Sequence, residues 1–486
     1  MSDAQLVGAA LIAPPLGAAG IALAGRAPNL REAMTLAAAT ALFASCAALL
    51  PRVLAGERPA LALFEMLPGI ALAFRVEPLG MLFALVASTL WIVTSVYAIG
   101  YMRANEEAHQ TRFYACFALA LAATVGLAFA ANLVTLFLFY EMLTLVTWPL
   151  VTHHGDEEAR VGGRVYLAYL LGTSILLLLP AIGATWAFAG TVEFAAGGIL
   201  GEARLGGATL AALLALYMFG IGKAALMPFH RWLPAAMVAP APVSALLHAV
   251  AVVKAGVFAV LKVIVYVFGV ETLAGVRAAD WLAPVAGFTI LAASVVALRS
   301  DNLKRRLAYS TVSQLSYVVL GAALLAPLAT AAAALHIAAH AFGKITLFFA
   351  AGAIATASGK TEVSQLDGVG RRMPWTMAAF AVGALSMIGL PPAAGVLSKW
   401  FLLAGAMDLG HWVAVAVVAA STVLNAAYFA PIVYRAFLRP EAAGGPEHGE
   451  APLSMRAALC ASAALTLAMF FAPELPLALA RALEAR

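Results

Sequence analysis

The sequence predicts an all-α polytopic membrane protein with about fourteen transmembrane helices, two inverted five-helix repeats and two broken helices. Three observations lead to this fold class. Of the 486 residues, 64% are hydrophobic and 11% are charged, whereas soluble domains carry about 25% charged residues. Apolar runs long enough to cross a bilayer recur along the whole chain. Two of these runs, five spans apart, are interrupted by prolines, which break helices.

Spans 1 to 14 are the apolar runs, numbered in chain order. A helix that crosses a bilayer needs about 17–25 predominantly apolar residues, and each run reaches this length. The runs lie near residues 5–25, 33–54, 78–101, 112–131, 133–152, 164–189, 208–227, 242–268, 279–298, 307–326, 328–357, 374–406, 410–437 and 455–483.

The distribution of arginine and lysine predicts the orientation of the spans. Most of these residues lie in the connections that follow odd-numbered spans, such as Arg103, Arg112 and 304–306. Cytoplasmic loops carry an excess of positive charge, so we expect the odd connections in the cytoplasm and both termini outside it. This multi-pass topology suits a bacterial-type inner (plasma) membrane. The net charge of +5 is spread over short loops, so no nucleic-acid partner is expected.

Spans 7 and 12 carry the two proline-rich interruptions. In span 7 the interruption covers 223–234 and includes Pro228, and in span 12 it covers 389–399 and includes Pro391 and Pro392. Proline removes a backbone donor and clashes with the preceding turn, so both helices should break there. Broken helices at corresponding places, an odd number of spans apart, indicate a transporter built from inverted repeats.

This repeat divides the chain into four segments. Residues 1–111 hold spans 1–3 and a connection at 55–77 whose weak alternation, prolines and glycines predict a short extracytoplasmic hairpin. The first repeat, spans 4–8, occupies 112–270, and the second repeat, spans 9–13, occupies 271–438. A polar cytoplasmic linker and span 14 make up 439–486.

Span 11 contains a row of ionisable residues. His336, His340 and Lys344 are spaced at i, i+4 and i+8, which places all three on one face of a helix. A lysine at the bilayer centre costs roughly 2.5–3.5 kcal/mol on insertion, so its presence favours a proton or ion route. The alternative is a snorkelling lysine with two packed histidines.

Lysine is unevenly distributed along the chain. Of the seven lysines, four lie in apolar spans, namely Lys223, Lys254, Lys344 and Lys399, and Lys262 is a fifth that could reach an interface. A buried lysine can take up and release a proton, whereas arginine stays charged. Four lysines at similar membrane depth therefore predict a proton relay rather than a packing role.

Three further ionisable residues accompany the lysines. Glu141 is the carboxylate in the middle of span 5, and a buried carboxylate requires a cation. Lys223 is its natural partner, and a simple lock between two helices is the alternative. His248 lies six residues before Lys254 on span 8, so a water would have to link them. Asp301 precedes span 10, where the residues alone indicate only a topology feature.

The sequence offers no redox or hydrolytic site of its own. Cys46, Cys116 and Cys460 lie far apart in apolar segments and are interpreted as packing residues. The chain has no glycine-rich phosphate loop, no haem-ligand pattern and no iron–sulfur cysteine set, so neither a cofactor nor a metal is expected.

Taken in order, the motifs resemble the antiporter-like subunits of respiratory complex I, of Mrp cation/proton antiporters and of membrane-bound hydrogenases. The resemblance covers most of spans 4–13. It rests on Glu141, Lys223 with Met-Pro-Phe-His-Arg-Trp-Leu-Pro, Ala239-Pro-Ala-Pro-Val-Ser-Ala-Leu-Leu-His248, Asp301-x-x-Lys-Arg-x-Leu-Ala-Tyr-Ser, His340-x-x-x-Lys344, and Gly-Leu-Pro-Pro-x-x-Gly before Lys399.

The resemblance implies a role for each residue of the first half. Glu141 and Lys223 would form the paired carboxylate and lysine of a first half-channel. Lys254 with His248 would form the bridge to the second half.

For the second half, the resemblance implies that His340 and Lys344 form a half-channel and that Lys399 is the terminal lysine facing the exit. Asp301 would mark the cytoplasmic start of the second repeat. A lysine at the position of Lys399 resembles the Mrp D-type, the complex I N-type and L-type, and hydrogenase-linked subunits, whereas the complex I M-type usually carries glutamate there. The sequence departs from many relatives at Glu77, where they carry aspartate.

We therefore predict a proton-translocating, antiporter-like subunit that works with other membrane subunits in the lipid bilayer. Sodium is the candidate second ion. Proton movement would be driven by a sodium gradient or by redox partner subunits, as in a NADH:quinone oxidoreductase-type translocase. A rival hypothesis is a subunit that feeds protons to a partner such as an inorganic-carbon uptake enzyme. A third, a structural spacer, is disfavoured by the four membrane lysines.

Overall fold

The computed structural model of the protein describes residues 2–441 and 448–483. Within these residues all fourteen predicted spans are present, which confirms the helical polytopic fold class. Eleven helices are long and apolar enough to cross a membrane, spans 7 and 12 contain shorter helices, and span 10 is more polar. The spans are Asp3–Leu23, Pro28–Leu54, Pro78–Ala104, Gln110–Ala128, Leu133–Val151, Glu157–Ala189, Gly207–Gly220, Ala241–Phe268, Leu282–Arg299, Leu303–Ala323, Pro327–Ser358, Pro374–Ile388 with Gly395–Asp408, Trp412–Leu438 and Leu453–Phe471.

Shorter elements lie between and within the spans. The strands are Ala60–Leu67 (β1) and Ile70–Arg75 (β2). Short α-helices occur at Trp232–Ala235, Val270–Gly275, Val369–Arg372 and Glu474–Arg481, and 3-10 turns at Gly222–Ala224, Ala236–Val238 and Val363–Gln365. Wider π-helical turns interrupt span 6 at Ser174–Leu178 and span 8 at Leu246–Val250 and Ile264–Phe268.

Several predicted span boundaries differ from the structure, and two of the differences have a clear local cause. Span 6 begins at Glu157 rather than near 164, because the Asp156 carboxylate caps the helix in the charged loop by accepting from the Ala159 amide at 2.7 Å. Span 14 ends at Phe471 rather than at 483. Its backbone leaves the helical region before Pro473, and a separate short helix follows.

The predicted hairpin between spans 2 and 3 is present. Strands β1 and β2 pair antiparallel, and a further bridge joins Phe74 to Ala130, just before span 5. The hairpin therefore fixes the start of span 5 from outside the helical bundle.

Both predicted helix breaks are also present. The helix of span 7 ends at Gly220 and is followed by a 3-10 turn that contains Lys223. In span 12 the helix ends at Gly389, which has a φ of 89°, and restarts at Gly395. Only glycine adopts this backbone region without strain, so Gly389 permits the break.

The second helix of each repeat begins with the same arrangement, which we call the Asn–Glu clamp. The Asn132 side chain caps span 5 through the Thr135 amide and donates to the Glu193 carboxylate at 3.0 Å. Asn302 caps span 10 in the same way and donates to Glu362, also at 3.0 Å. Because an odd number of spans separates the clamps, they lie at opposite ends of the bundle, as inverted repeats require. We call the end with the β-hairpin the hairpin face and the other end the opposite face.

Spans 8 and 11 form the centre of the bundle. In span 8 the most apolar window is 100% buried, and in span 11 it is 94% buried, against 33–72% for the other long spans. Span 8 ends the first repeat and span 11 belongs to the second. The ionisable residues of both therefore meet where the repeats join.

Candidate functional site

The four predicted relay lysines are buried inside the bundle. Lys223, Lys254 and Lys344 are 0% exposed and Lys399 is 4% exposed. The hydrogen bonds of each ammonium group lead to carbonyl, hydroxyl or imidazole groups rather than to carboxylates. A lysine kept at this depth without a bonded counter-charge is costly and indicates function.

Lys223 lies in the break of span 7 and reaches across to span 5. Its Nζ donates to the Tyr140 carbonyl at 2.8 Å and to the Thr144 hydroxyl at 2.6 Å. The Nζ also lies 3.2 Å from the centre of the Tyr140 ring, a cation–π contact. The 3-10 turn thus holds the ammonium against one face of span 5.

The expected direct pairing of Glu141 with Lys223 is absent from the described residues. Both Glu141 carboxylate oxygens are buried and lack a hydrogen-bond partner, and Lys223 lies within electrostatic range but makes no ion pair with them. The reason is helical geometry. Tyr140 and Thr144 share a face, and Glu141 is turned about 100° from Tyr140. It shares its own face with the exposed Leu138 and Leu145.

At the centre of the bundle, Lys254 contacts the second repeat rather than its own neighbour on span 8. Its Nζ lies 2.6 Å from His340 Nδ1. Lys254 makes no direct hydrogen bond with His248, which lies within the π-helical turn at Leu246–Val250. His248 is buried against the Phe348 ring at 4.6 Å, and neither of its ring nitrogens has a hydrogen-bond partner in the described part of the chain.

The row on span 11 contacts three different spans. His336 Nδ1 lies 2.8 Å from the Ser398 hydroxyl of span 12, and His340 contacts span 8. Lys344 donates to the Ser310 hydroxyl of span 10 at 2.8 Å. Each of the three side chains therefore contacts a different neighbouring span. This arrangement favours the interpretation as a proton or ion route and disfavours the interpretation as a snorkelling lysine with two packed histidines.

From Lys344, neutral polar groups continue toward span 13. The Tyr428 hydroxyl lies 3.1 Å from the Ser310 hydroxyl and is hydrogen-bonded to the Asn425 side chain. The Asn425 amide in turn donates to the Met387 carbonyl at 3.3 Å. This carbonyl lies at the break of span 12, next to Lys399.

Lys399 is held by the backbone that the break exposes. Its Nζ donates to the Met387 and Ile388 carbonyls at 2.7 and 3.0 Å, groups that a continuous helix would have used internally. The Tyr317 ring lies 4.9 Å from the ammonium and stacks on His336. The same carbonyl of Met387 thus serves both Lys399 and the polar chain from Lys344.

Asp301 lies apart from these groups. It is exposed at the start of span 10, where its carboxylate accepts from the amide and hydroxyl of Ser364 at 3.0 and 2.6 Å. These contacts tie the start of span 10 to the loop after span 11. In the described residues, no cluster of three or more histidine, cysteine or acidic side chains could hold a metal ion.

Sequence reasoning missed the neutral partners of the lysines. These are the Tyr140–Thr144 pair on span 5, Ser310 on span 10, and the Asn425–Tyr428 pair on span 13. Polar side chains three or four residues apart in apolar spans share a helix face. That spacing could have identified both pairs.

Comparison with known proteins agrees with this architecture. Residues 130–425 match the family model described as NADH:quinone oxidoreductase/Mrp antiporter, TM. The chain is 36% identical over 414 residues to NADH-quinone oxidoreductase subunit N of Desulforudis audaxviator, covering 83% of this chain and 80% of that protein. It is 34% identical over 343 residues to the A/B subunit of a probable K(+)/H(+) antiporter of Rhizobium meliloti, covering 70% of this chain and 33% of that longer protein.

Two solved structures share the fold. A chain in the structure of the Mrp complex from a Dietzia species superposes with a TM-score of 0.87 at 22% identity, covering 99% of this chain and 97% of that one. A chain of the membrane-bound sulfane sulfur reductase, an archaeal respiratory membrane complex, superposes with a TM-score of 0.86 at 21% identity, covering 99% and 97%.

Proposed function

The chain belongs to the NADH:quinone oxidoreductase/Mrp antiporter transmembrane family, and on this premise we propose that it translocates protons as one subunit of a larger membrane complex. The observation that carries the proposal is the set of four buried lysines with neutral hydrogen-bond partners. Such an ammonium can give up its proton without breaking a direct ion pair to a carboxylate.

The proposed route follows the lysines through the joined repeats. A proton loaded on Lys223 passes to Lys254, then across the 2.6 Å contact to His340 on span 11. It continues to Lys344 and leaves by way of Lys399. At the Lys254–His340 contact, an N–H bond of the ammonium breaks as one forms on the imidazole nitrogen. The two repeats exchange a proton there.

The remaining site residues have supporting roles in this route. Glu141 acts on Lys223 through space, since no bond joins them. His248 and His336 are additional proton-holding groups on spans 8 and 11, and Asp301 marks the start of the second repeat at the opposite face. The first and second half-channels correspond to the segments 112–270 and 271–438.

Other membrane subunits are the proposed partners, with the outward face of Glu141 as one contact. Leu138, Leu145 and Trp148 are 41–55% exposed on that side of span 5, so a neighbouring helix there would cover this apolar surface beside the buried carboxylate. The names of the relatives suggest two driving forces, redox chemistry in partner subunits or a cation gradient. Sodium is one candidate for the cation.

The proposed setting is a bacterial-type inner membrane with both termini outside the cytoplasm. This orientation rests on the positive charge of the odd-numbered connections. It places the hairpin face outside and the start of span 10 in the cytoplasm.

Proton flux in vesicles that contain the whole complex tests the proposal. Lys223→Ala should lower the flux by at least about tenfold, because a barrier higher by about 1.4 kcal/mol slows a step tenfold. Assembly should stay normal, since alanine adds no bulk. Lys360→Ala, a lysine outside the spans, is the matched control and should transport normally. Full flux in the Lys223→Ala complex would contradict the proposal.

A further inference from the structure

A second buried lysine–carboxylate pair lies near the hairpin face, outside the route above. Lys262 is 0% exposed, so it does not reach an interface, as the sequence had allowed. Its Nζ forms an ion pair with Glu77 Oε2 at 3.1 Å and donates to the Ala130 carbonyl at 2.8 Å. Lys262 follows Lys254 on span 8 by eight residues, about 12 Å along a helix.

Aromatic rings surround the ammonium on its other sides. The ring centres of Phe194, Phe258 and Tyr266 lie 4.4, 5.7 and 5.9 Å from the Lys262 Nζ. Ring faces attract a cation while keeping water away. The Lys262 side chain therefore lies among aromatic rings, beside one carboxylate able to accept its proton.

The buried pair is adjacent to a pair that reaches solvent. Arg75, at the end of β2, lies 3.4 Å from Glu193, and their side chains are 32% and 43% exposed. Arg75 also donates to the carbonyl of Ala131 at 3.4 Å, one residue beyond the Ala130 carbonyl that holds Lys262. The carbonyls of two successive residues, Ala130 and Ala131, thus accept hydrogen bonds from the buried Lys262 and from the partly exposed Arg75.

A purely structural role does not account for this arrangement well. Taking two charges out of water is costly, and apolar residues of similar volume often stabilise a buried site equally or better. Glu77 also begins span 3 directly after the hairpin strand, and its side chain is 7% exposed. A group in this position connects the interior of span 8 with the hairpin face.

We propose that Lys262 and Glu77 form a proton-exchange station between Lys254 and water at the hairpin face. The Lys262 ammonium gives one proton to the Glu77 carboxylate, so that an N–H bond breaks, an O–H bond forms and the pair becomes neutral. Glu77 then releases the proton to water at the hairpin face, and the Lys262 amine takes up the next proton arriving from Lys254. This proposal rests on the proposed proton translocation.

Two variants separate a station from a lock between helices. Lys262→Arg keeps the cation and its pairing with Glu77 but does not release a proton. Glu77→Gln keeps the shape and a carbonyl oxygen for Lys262 but cannot accept a proton. We expect both to assemble and to lower proton flux in vesicles by at least about tenfold. Glu77→Asp, which retains a carboxylate, should keep most of the flux.

The results test the Lys262–Glu77 station and the proposed function separately. If the unaltered complex carries no protons, the proposed function fails whatever the variants do. If the unaltered complex is active and Glu77→Gln transports normally, the station is overturned. Loss of assembly in Glu77→Gln also overturns it, because the pair would then be a structural lock. If Lys262→Arg alone fails to assemble, the Gln and Asp variants still give the answer.

Discussion

In both repeats an Asn–Glu clamp fixes the second helix and a proline-broken helix supplies a buried lysine, but the surroundings of that lysine differ. Nine residues after the capping asparagine, the first repeat carries Glu141 and the second carries Thr311. Lys223 therefore has a carboxylate within electrostatic range. Lys399 is bonded to backbone carbonyls of its own span.

This difference suggests that the two repeats handle the proton in different ways. A nearby carboxylate can balance the charge on Lys223 without bonding to it. In the second repeat Lys344, His340 and His336 lie along one helix, where like charges repel more strongly than in water. We expect this row to hold fewer protons than it has sites, so that an arriving proton displaces another toward Lys399.

Removing the carboxylate should abolish the difference between the repeats and have the largest effect. Glu141→Gln keeps the shape of the side chain but cannot tune Lys223, and a nearby charge changes proton affinity in proteins by roughly 10- to 1,000-fold. Proton flux in vesicles should fall by at least about tenfold. Glu141→Asp should be partly active. A Gln variant that equals the native protein would show that the carboxylate is not required.

A smaller loss of proton flux is expected when the Ser310 hydroxyl, which accepts a hydrogen bond from Lys344 in the second repeat, is removed. Ser310→Ala removes the side chain that accepts from Lys344 at 2.8 Å and leaves the Leu307 carbonyl at 3.3 Å. Losing one such bond should slow proton flux by roughly two- to tenfold. Ser316→Ala is the matched control, since this buried hydroxyl bonds only within its own helix. Equal rates in both variants would remove Ser310 from the route.

The clamps should affect stability rather than transport, and unequally. Replacing an asparagine cap by alanine costs about 1 kcal/mol. Asn132→Ala should cost more than Asn302→Ala, because Asn132 is fully buried and also donates to the Ala71 carbonyl at 2.8 Å. Thermal unfolding of the purified complexes measures the difference. If both variants unfold at the same temperature as the native protein, the Asn–Glu clamps do not stabilise the repeats.

The sequence predicted the elements of the fold well because membrane spans are defined by composition and length. All spans and both helix breaks were found where apolar runs and prolines placed them. Its errors lie at boundaries, where a single cap such as Asp156 or a single proline such as Pro473 decides where a helix begins or ends. Hydropathy does not record such local bonds.

Within the site, the sequence identified the ionisable residues but not all of their partners. Spacing along one helix placed His336, His340 and Lys344 on one face, which the structure bears out. It could not foresee that Lys254 meets His340 or that Glu141 stands beside Lys223 without touching it. The first is a contact between two spans that lie far apart in the sequence, and the second follows from Lys223 bonding Tyr140 and Thr144 on another face of span 5. Spacing along a single helix predicts neither.

Lys344→Arg tests most directly the claim that the buried lysines carry protons. Arginine keeps the positive charge but does not release it under physiological conditions. Proton flux through vesicles containing the assembled complex should be nearly as low in Lys344→Arg as in Lys344→Ala, with complex levels equal to those of the native protein. A normal flux in the Arg variant, with the Ala variant inactive, would show that Lys344 supplies a fixed charge and is not a proton carrier.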